Sequence, residues 1–337
     1  MVENLKTKSL ISANDLDPFW NQLCDSTYQK IAFLKHIEQY NYCNQRYYQA
    51  YKNDRLIAGA VIYSLRVNVL TFAKYNLTLP MTIIGIPASV DAKGIIGNSD
   101  FCSAFINEIM KQEKGIILCL NYNDPLGVNK IIEMQTLPSM IYNNNYPNWE
   151  AYINSLRHNY RRRILKAQAK FNDVRKVFEP CSKFTRTHYQ LYLNVVKKSK
   201  TKLEILKYEF FINLPSEYQL FSFYHESELL TWHITTLSKN VYYFVFGGVN
   251  YTLRDTFDSY YNNLIHILIE GNKQECNTIN FGQTAEVSKN RLGATPQIKR
   301  MFIYHKNPLI RLIFRLSKNF LSYDLKTRMI EVQKTKI

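Results

Sequence analysis

The 337-residue chain is long enough for about two domains, and 46% hydrophobic with 21% charged residues describes an ordinary globular core rather than a disordered or fibrous chain. A formal net charge of +16 points to an anionic partner: nucleic acid, acidic lipid or a phosphorylated ligand. No apolar run approaches the ~20 residues that span a bilayer, and the first residues lack the apolar stretch of a secretory signal, so a cytoplasmic location is expected. Six scattered cysteines without paired spacing predict neither a zinc site nor a disulfide framework.

Residues 19–40 place apolar side chains at helical spacing and predict one or two helices. Two β-rich runs flanking Lys52, Asn53 and Asp54 predict a hairpin over 47–65. Short β-rich runs follow at 67–72 and 81–86, then a helix over 100–112, closed by Gly115, and a buried strand at 116–120. The second half repeats this order. Residues 218–237 predict strand, polar turn and strand, and Lys239 and Asn240 turn into a third strand that Gly247 and Gly248 end. A helix over about 256–271 is expected with Asp255 as its cap, followed by a closing strand at 277–282. Between the halves, 152–171 and 188–199 predict basic helices that open a second domain beyond the Asn/Pro-rich loop at 143–148. The fold class is α+β, each domain a mixed, mostly antiparallel sheet flanked by helices. The expected division is 1–145, 146–306 and a basic C-terminal helix or tail over 307–337.

Four segments in this order carry a resemblance. They are the basic stretch 157–167, the strand 242–250 ending in Gly247, Gly248 and Asn250, the helix 260–271, and the closing strand with its continuation, 280–294. Together they resemble the second domain of FemABX-type acyltransferases of the GNAT superfamily and the peptidoglycan biosynthesis/recognition-type group. The resemblance implies tandem GNAT-like domains and N-acyl transfer from acyl-CoA, acyl-carrier protein or aminoacyl-tRNA to an amine. The donor would be a co-substrate, with no cofactor tightly bound. Asn280 stands where the family has Asp, and Gln283 where it has a second Gly. The glycine-rich pyrophosphate loop of single-domain acetyltransferases is absent, which argues against acetyl-CoA as the donor. The competing reading is a non-catalytic module on the same fold that binds nucleic acid or a cell-wall precursor.

The resemblance places Lys289 beside the reacting centre, where it would stabilise developing negative charge or grip a phosphate; the alternative is a solvated basic loop. On the first reading, Lys289→Ala abolishes transfer and leaves the melting temperature nearly unchanged. Arg291 belongs to the same loop. Gly247, Gly248 and Asn250 at one strand end, and Gln283 and Thr284 at the next, would let a ligand approach or orient it; each is equally a turn residue. His233, in mid-strand, is either a general base or a hydrogen-bonded sheet histidine. Tyr260 near a helix start is a further catalytic candidate. Arg157, Arg161, Arg162 and Arg163 form a candidate grip on a phosphorylated donor or tRNA, with 157 and 161 one helical turn apart. Finally, residues 309–321 alternate apolar residues with Arg311, Arg315 and Lys318. That is the pattern of a basic amphipathic helix, lying either on an anionic membrane or on its own domain.

Overall fold

The structure, a computed structural model, describes residues 5–89, 91–199, 203–325 and 330–334. Along the chain the elements begin with β1 (Lys6–Leu10), α1 (Trp20–Leu23), α2 (Ile31–Tyr40), β2 (Arg46–Lys52), β3 (Arg55–Asn68) and β4 (Thr78–Ile84). Next come β5 (Ile95–Gly97), α3 (Cys102–Gln112), β6 (Ile116–Tyr122) and β7 (Ile132–Asn143). The middle holds α4 (Trp149–Ser155), α5 (His158–Ala169), β8 (Arg175–Pro180), α6 (Arg186–Lys198) and α7 (Tyr208–Ile212). Then follow β9 (Gln219–His225), β10 (Glu228–Ser238), β11 (Val241–Val249), α8 (Arg254–Phe257) and α9 (Ser259–Lys273). The last are β12 (Thr278–Asn280), α10 (Glu286–Asn290), β13 (Thr295–Tyr304), α11 (Pro308–Leu316) and α12 (Lys318–Leu321).

The chain divides into two compact units, one of Met1–Leu137 with Ile298–Leu325, the other of Pro138–Gln297 with Lys326–Ile337. This corrects the expected division at 145/146 and the separate tail. The chain leaves the first unit within β7 and returns to it within β13, whose Arg300–Tyr304 half pairs antiparallel with β6. Reciprocally, β7 pairs antiparallel with β12 through Ile141–Asn143 in the second unit. Each unit thus receives, as its last strand, the segment that follows the other unit's closing strand.

In other respects the two units follow one plan. In the first, β1, β2, β3 and β4 pair antiparallel in sequence, and β4 pairs parallel with β6 across the α3 crossover. In the second, β8, β9, β10 and β11 pair antiparallel, and β11 pairs parallel with β12 across α9. Two-residue turns at Asn53-Asp54 and Lys239-Asn240 place both residues at positive φ, the backbone that matches strand twist in a tight hairpin. The expected strand at 67–72 is instead the end of β3 followed by a short 3-10 turn at Thr71–Ala73. The expected single helix at 152–171 is broken: Leu156 and Arg157 are extended, and Leu156 bridges to Gln333.

The cores follow from amphipathic crossover helices. In unit 1, α3 buries Phe105, Ile106 and Ile109 against Ile62, Ile84 and Ile117. In unit 2, α9 buries Leu264, Ile265, Ile267 and Leu268 against Tyr242, Ile279 and Phe281. At roughly 1.5–3 kcal/mol per fully buried large apolar side chain, these contacts set the position of each helix.

Candidate functional site

In unit 2 a cleft of ≈1010 Å³ opens between α5, the α8–α9 junction and α10. One face of α5 supplies Asn159, Arg162, Arg163, Lys166, Ala167 and Lys170, the three- and four-residue spacing of a single helical face. The opposite side of the helix is anchored by buried Ile164. Asn262 of α9 docks the helix end by donating to the Ala167 carbonyl at 2.8 Å and to that of Phe257 at 3.0 Å. Asp258 adopts left-handed backbone (φ 47°) and separates α8 from α9, so Asp258, rather than the expected Asp255, precedes the first turn of the long helix. That turn presents Tyr260 and Tyr261 to the cleft, and Ser288 and Arg291 complete the wall.

Six cationic side chains line this cleft against two carboxylates. Both carboxylates are already engaged: Asp258 with Lys170 at 2.9 Å, and Asp255 with Arg254 through a forked contact at 2.8 and 3.0 Å. Among the described residues, Arg162, Arg163, Lys166 and Arg291 have no carboxylate partner. The Tyr261 hydroxyl is buried and has no hydrogen-bond partner among the described residues. Burial pushes its pKa to about 12, against the pull of Arg163 and Arg291. Unspent donors of one sign, arranged around a large opening, suit an oxyanion-rich ligand such as phosphate.

The structure brings Arg162, Arg163, Tyr260 and Arg291 together and separates the other candidates from them. Arg157 pairs with Glu331 and donates to the Gln333 carbonyl at 3.2 Å, so it holds the C-terminal segment rather than the cleft. Arg161 is exposed and does not line the cleft. Lys289 is no solvated loop residue: it is 1% exposed on α10 and donates to the carbonyls of Gly282 (3.1 Å) and Gln283 (2.7 Å). Gly282 and Thr284 occupy positive φ in that same turn, which makes Lys289 a clasp on a left-handed loop.

Gly247 and Gly248 lie among the last paired residues of β11, opposite His233 and Trp232. A Cβ on Gly248 would come within 2.1 Å of the Trp232 indole nitrogen, so packing of this buried tryptophan is what requires the glycine. Asn250 accepts from the Thr252 backbone (3.2 Å) and hydroxyl (2.6 Å), closing a turn. Cys276 is buried, with Sγ donating to the Gly271 carbonyl at 2.9 Å.

His233 is completely buried and sits in a directional chain. Asn263 donates its amide to the Trp232 carbonyl (3.3 Å), which leaves Oδ1 to accept from His233 Nδ1 at 2.5 Å. His233 Nε2 then accepts from His266 Nδ1 (3.4 Å), and His266 Nε2 accepts from Lys176 Nζ (2.8 Å). Lys176 Nζ also donates to Glu270 Oε1 at 3.2 Å. Both imidazoles are neutral in this arrangement, and burial first, then the neighbouring His266, lowers the His233 pKa well below 6.5. Burial also lowers His266, and it brings His188, wedged between Thr185 and Ser222, to about 4. A histidine whose folded pKa is depressed contributes stability above its unfolded pKa and loses it as pH falls below about 6.5. Each such histidine is expected to cost about 1.4 kcal/mol per pH unit between pH 6.5 and its folded value. Melting curves at pH 7 and pH 5 should therefore show a clear acid destabilisation. A flat profile over that range would mean these imidazoles are not held neutral.

Sequence reasoning passed over Lys166, Lys170 and Arg254. The first two were signalled by their spacing of four and eight residues from Arg162, which puts all three on one helical face.

No family model matches the sequence, and a search of curated proteins also finds no match. Solved structures do match. FemX superposes at a TM-score of 0.55 and 12% identity, over 91% of this chain and 100% of that one. L-PGS from Bacillus licheniformis gives 0.50 at 11% identity, over 85% and 94% of the two chains. A conserved protein of unknown function from Bacteroides thetaiotaomicron gives 0.50 at 10% identity, over 84% and 92%. The FemX likeness spans both units, whereas the sequence resemblance reached only the second half. The chain has the fold seen in FemX.

Proposed function

We propose that the protein is an N-acyltransferase that moves an acyl or aminoacyl group from a phosphate-bearing donor to an amine, with the donor's phosphates held in the unit 2 cleft. The observation that carries this reading is the set of four cations, Arg162, Arg163, Lys166 and Arg291, left without carboxylate partners around ≈1010 Å³ of open space. That volume lies at the upper end of the usual range for ligand sites, enough for a nucleotide-sized group. The likeness to FemX adds the fold on which such a donor site would sit.

In the reaction, the acceptor nitrogen attacks the acyl carbonyl and the new C–N bond forms. The C–S or C–O bond to the donor breaks, and the amine proton leaves with the departing thiolate or ribose hydroxyl. Arg162, Arg163, Lys166 and Arg291 would hold the donor. Tyr260, which also lines the cleft, is kept protonated by desolvation. His233, sealed inside the sheet, is not in reach of a ligand in this cleft and is not assigned as the base.

A salt titration tests the reading and separates the donor classes. If the cleft holds an aminoacyl-tRNA, log affinity should fall linearly with log salt. The slope should be near −3 for four phosphates neutralised, at about −0.7 to −0.9 each. Acyl-CoA makes fewer phosphate contacts and should give a shallower slope. Absence of binding by CoA, acyl-CoA and tRNA alike at low salt would sink the proposal.

A further inference from the structure

We propose that the exposed face of α11 and α12 is a docking surface for an anionic lipid bilayer. The helices are fixed to unit 1 by one side only: Phe314 and Leu321 are buried in its core with Met81, Ile83 and Leu118, and Ile310 packs against them. A second apolar side faces solvent. Leu309, Leu312, Ile313, Leu316 and Phe320 are between 48% and 76% exposed. At 3.6 residues per turn the four of α11 fall within an arc of about 100°, adjoining but distinct from the arc that enters the core, and Phe320 adds an exposed ring on α12. Five of the seventeen large apolar side chains exposed among the described residues therefore crowd into twelve residues of one element pair. The 3-10 turn at Thr71–Ala73 sets Phe72 against Tyr323, two residues beyond α12, and the loop that follows adds exposed Tyr75 and Leu77 with Lys74.

Charge selects the occupant. Not one acidic side chain lies between Pro308 and Leu321, and Arg315 borders the apolar arc beside Leu312. Arg315 and Lys318 form no ion pair among the described residues. A second copy of this face would set cation against cation. A bilayer with anionic headgroups offers phosphates to Arg315 and Lys318 and acyl chains to the leucines at once. No described helix is long and apolar enough to cross a membrane, so the contact is peripheral: the helix lies in the interface plane. The inference concerns unit 1 and does not rest on the donor site proposed in unit 2.

The test is co-sedimentation of the full chain with vesicles of equimolar phosphatidylglycerol and phosphatidylcholine, compared with phosphatidylcholine alone. The unaltered protein should bind the anionic vesicles, more weakly as salt rises. Leu312→Ser/Ile313→Ser/Leu316→Ser should reduce partitioning by about 100-fold, since binding scales with the apolar area inserted. Arg315→Glu/Lys318→Glu should abolish the preference for anionic lipid. These side chains are exposed, so melting temperatures should stay within a degree or two, and donor binding should not change. Equal partitioning of the triple variant, or no preference for anionic vesicles, overturns the proposal. So does a concentration-dependent dimer that the triple variant abolishes while vesicle binding is nil.

Discussion

Reversing two charges in the cleft, Arg162→Glu with Arg163→Glu, is expected to weaken donor binding at least 100-fold at low salt while leaving the fold intact. Both arginines are exposed on a helix face whose opposite side carries the core contact through Ile164, so their replacement removes no packing. Surface changes of this kind move stability by about 0.5 kcal/mol or less. The electrostatic effect is larger because the neighbouring cations are unspent. Each new carboxylate takes away a charge-assisted hydrogen bond and adds a repulsion toward phosphate, and a loss of about 2.7 kcal/mol for the pair is the 100-fold expected. Exposed charges are screened beyond about 8 Å at physiological ionic strength, so the deficit should shrink as salt is raised. Arg161→Glu is the internal control. It lies on the same helix with the same exposure but off the cleft, and it should shift binding by less than about three-fold. Equal losses for Arg161→Glu and for the cleft pair would mean that net charge, not the cleft, attracts the donor. No loss in either would remove the cleft from donor binding.

The contrast between Arg161 and its two neighbours shows where the sequence stops being informative. Three adjacent arginines declare an anion-binding helix, yet which of them faces a ligand depends on how that helix docks. Read as one helix from Tyr152, the stretch puts Arg157 and Arg161 on a shared face. The extended residues Leu156 and Arg157 restart the helix at His158, and the cleft face becomes that of Arg162, Arg163, Lys166 and Lys170. At the break Leu156 bridges to Gln333, far along the chain, a contact that no local pattern reveals. The repeated plan of hairpin, strand, crossover helix and strand was legible because alternation and helical spacing are local signals. The exchange of β7 and β13 between units was not. The Ile132–Asn143 strand mixes Glu133, Gln135 and Pro138 into its run, and its partner β12 lies more than a hundred residues away. The glycines of β11 were read by type alone, and their reason, the indole of Trp232 against Gly248, is a tertiary contact.

Lys289 is where position changes the expected outcome of a mutation. Lys289→Met should lower the stability of unit 2 by about 3 kcal/mol, because it removes the donor from the buried carbonyl of Gly282 and the part-buried carbonyl of Gln283. Each orphaned acceptor costs about 1–3 kcal/mol, and methionine, similar in length and apolar, fills the space without supplying a proton. For a unit of this size the loss corresponds to roughly 6–12 °C in melting temperature. The carbonyls belong to a turn held at positive φ at Gly282, Thr284 and Ala285, a strained backbone that persists only while its surroundings hold it. Arg291, two residues beyond Lys289, lines the cleft from the end of α10. Loosening the turn should therefore also weaken donor binding at temperatures where the protein remains folded, raising KM more than it lowers kcat. A lysine that touched the reacting atoms would give the opposite pattern: kcat down at least 100-fold, KM and melting temperature nearly unchanged. Measuring both constants alongside the melting curve decides between a clasp and a catalytic residue. Of the two, a 1% exposed side chain already donating to two carbonyls is built as a clasp.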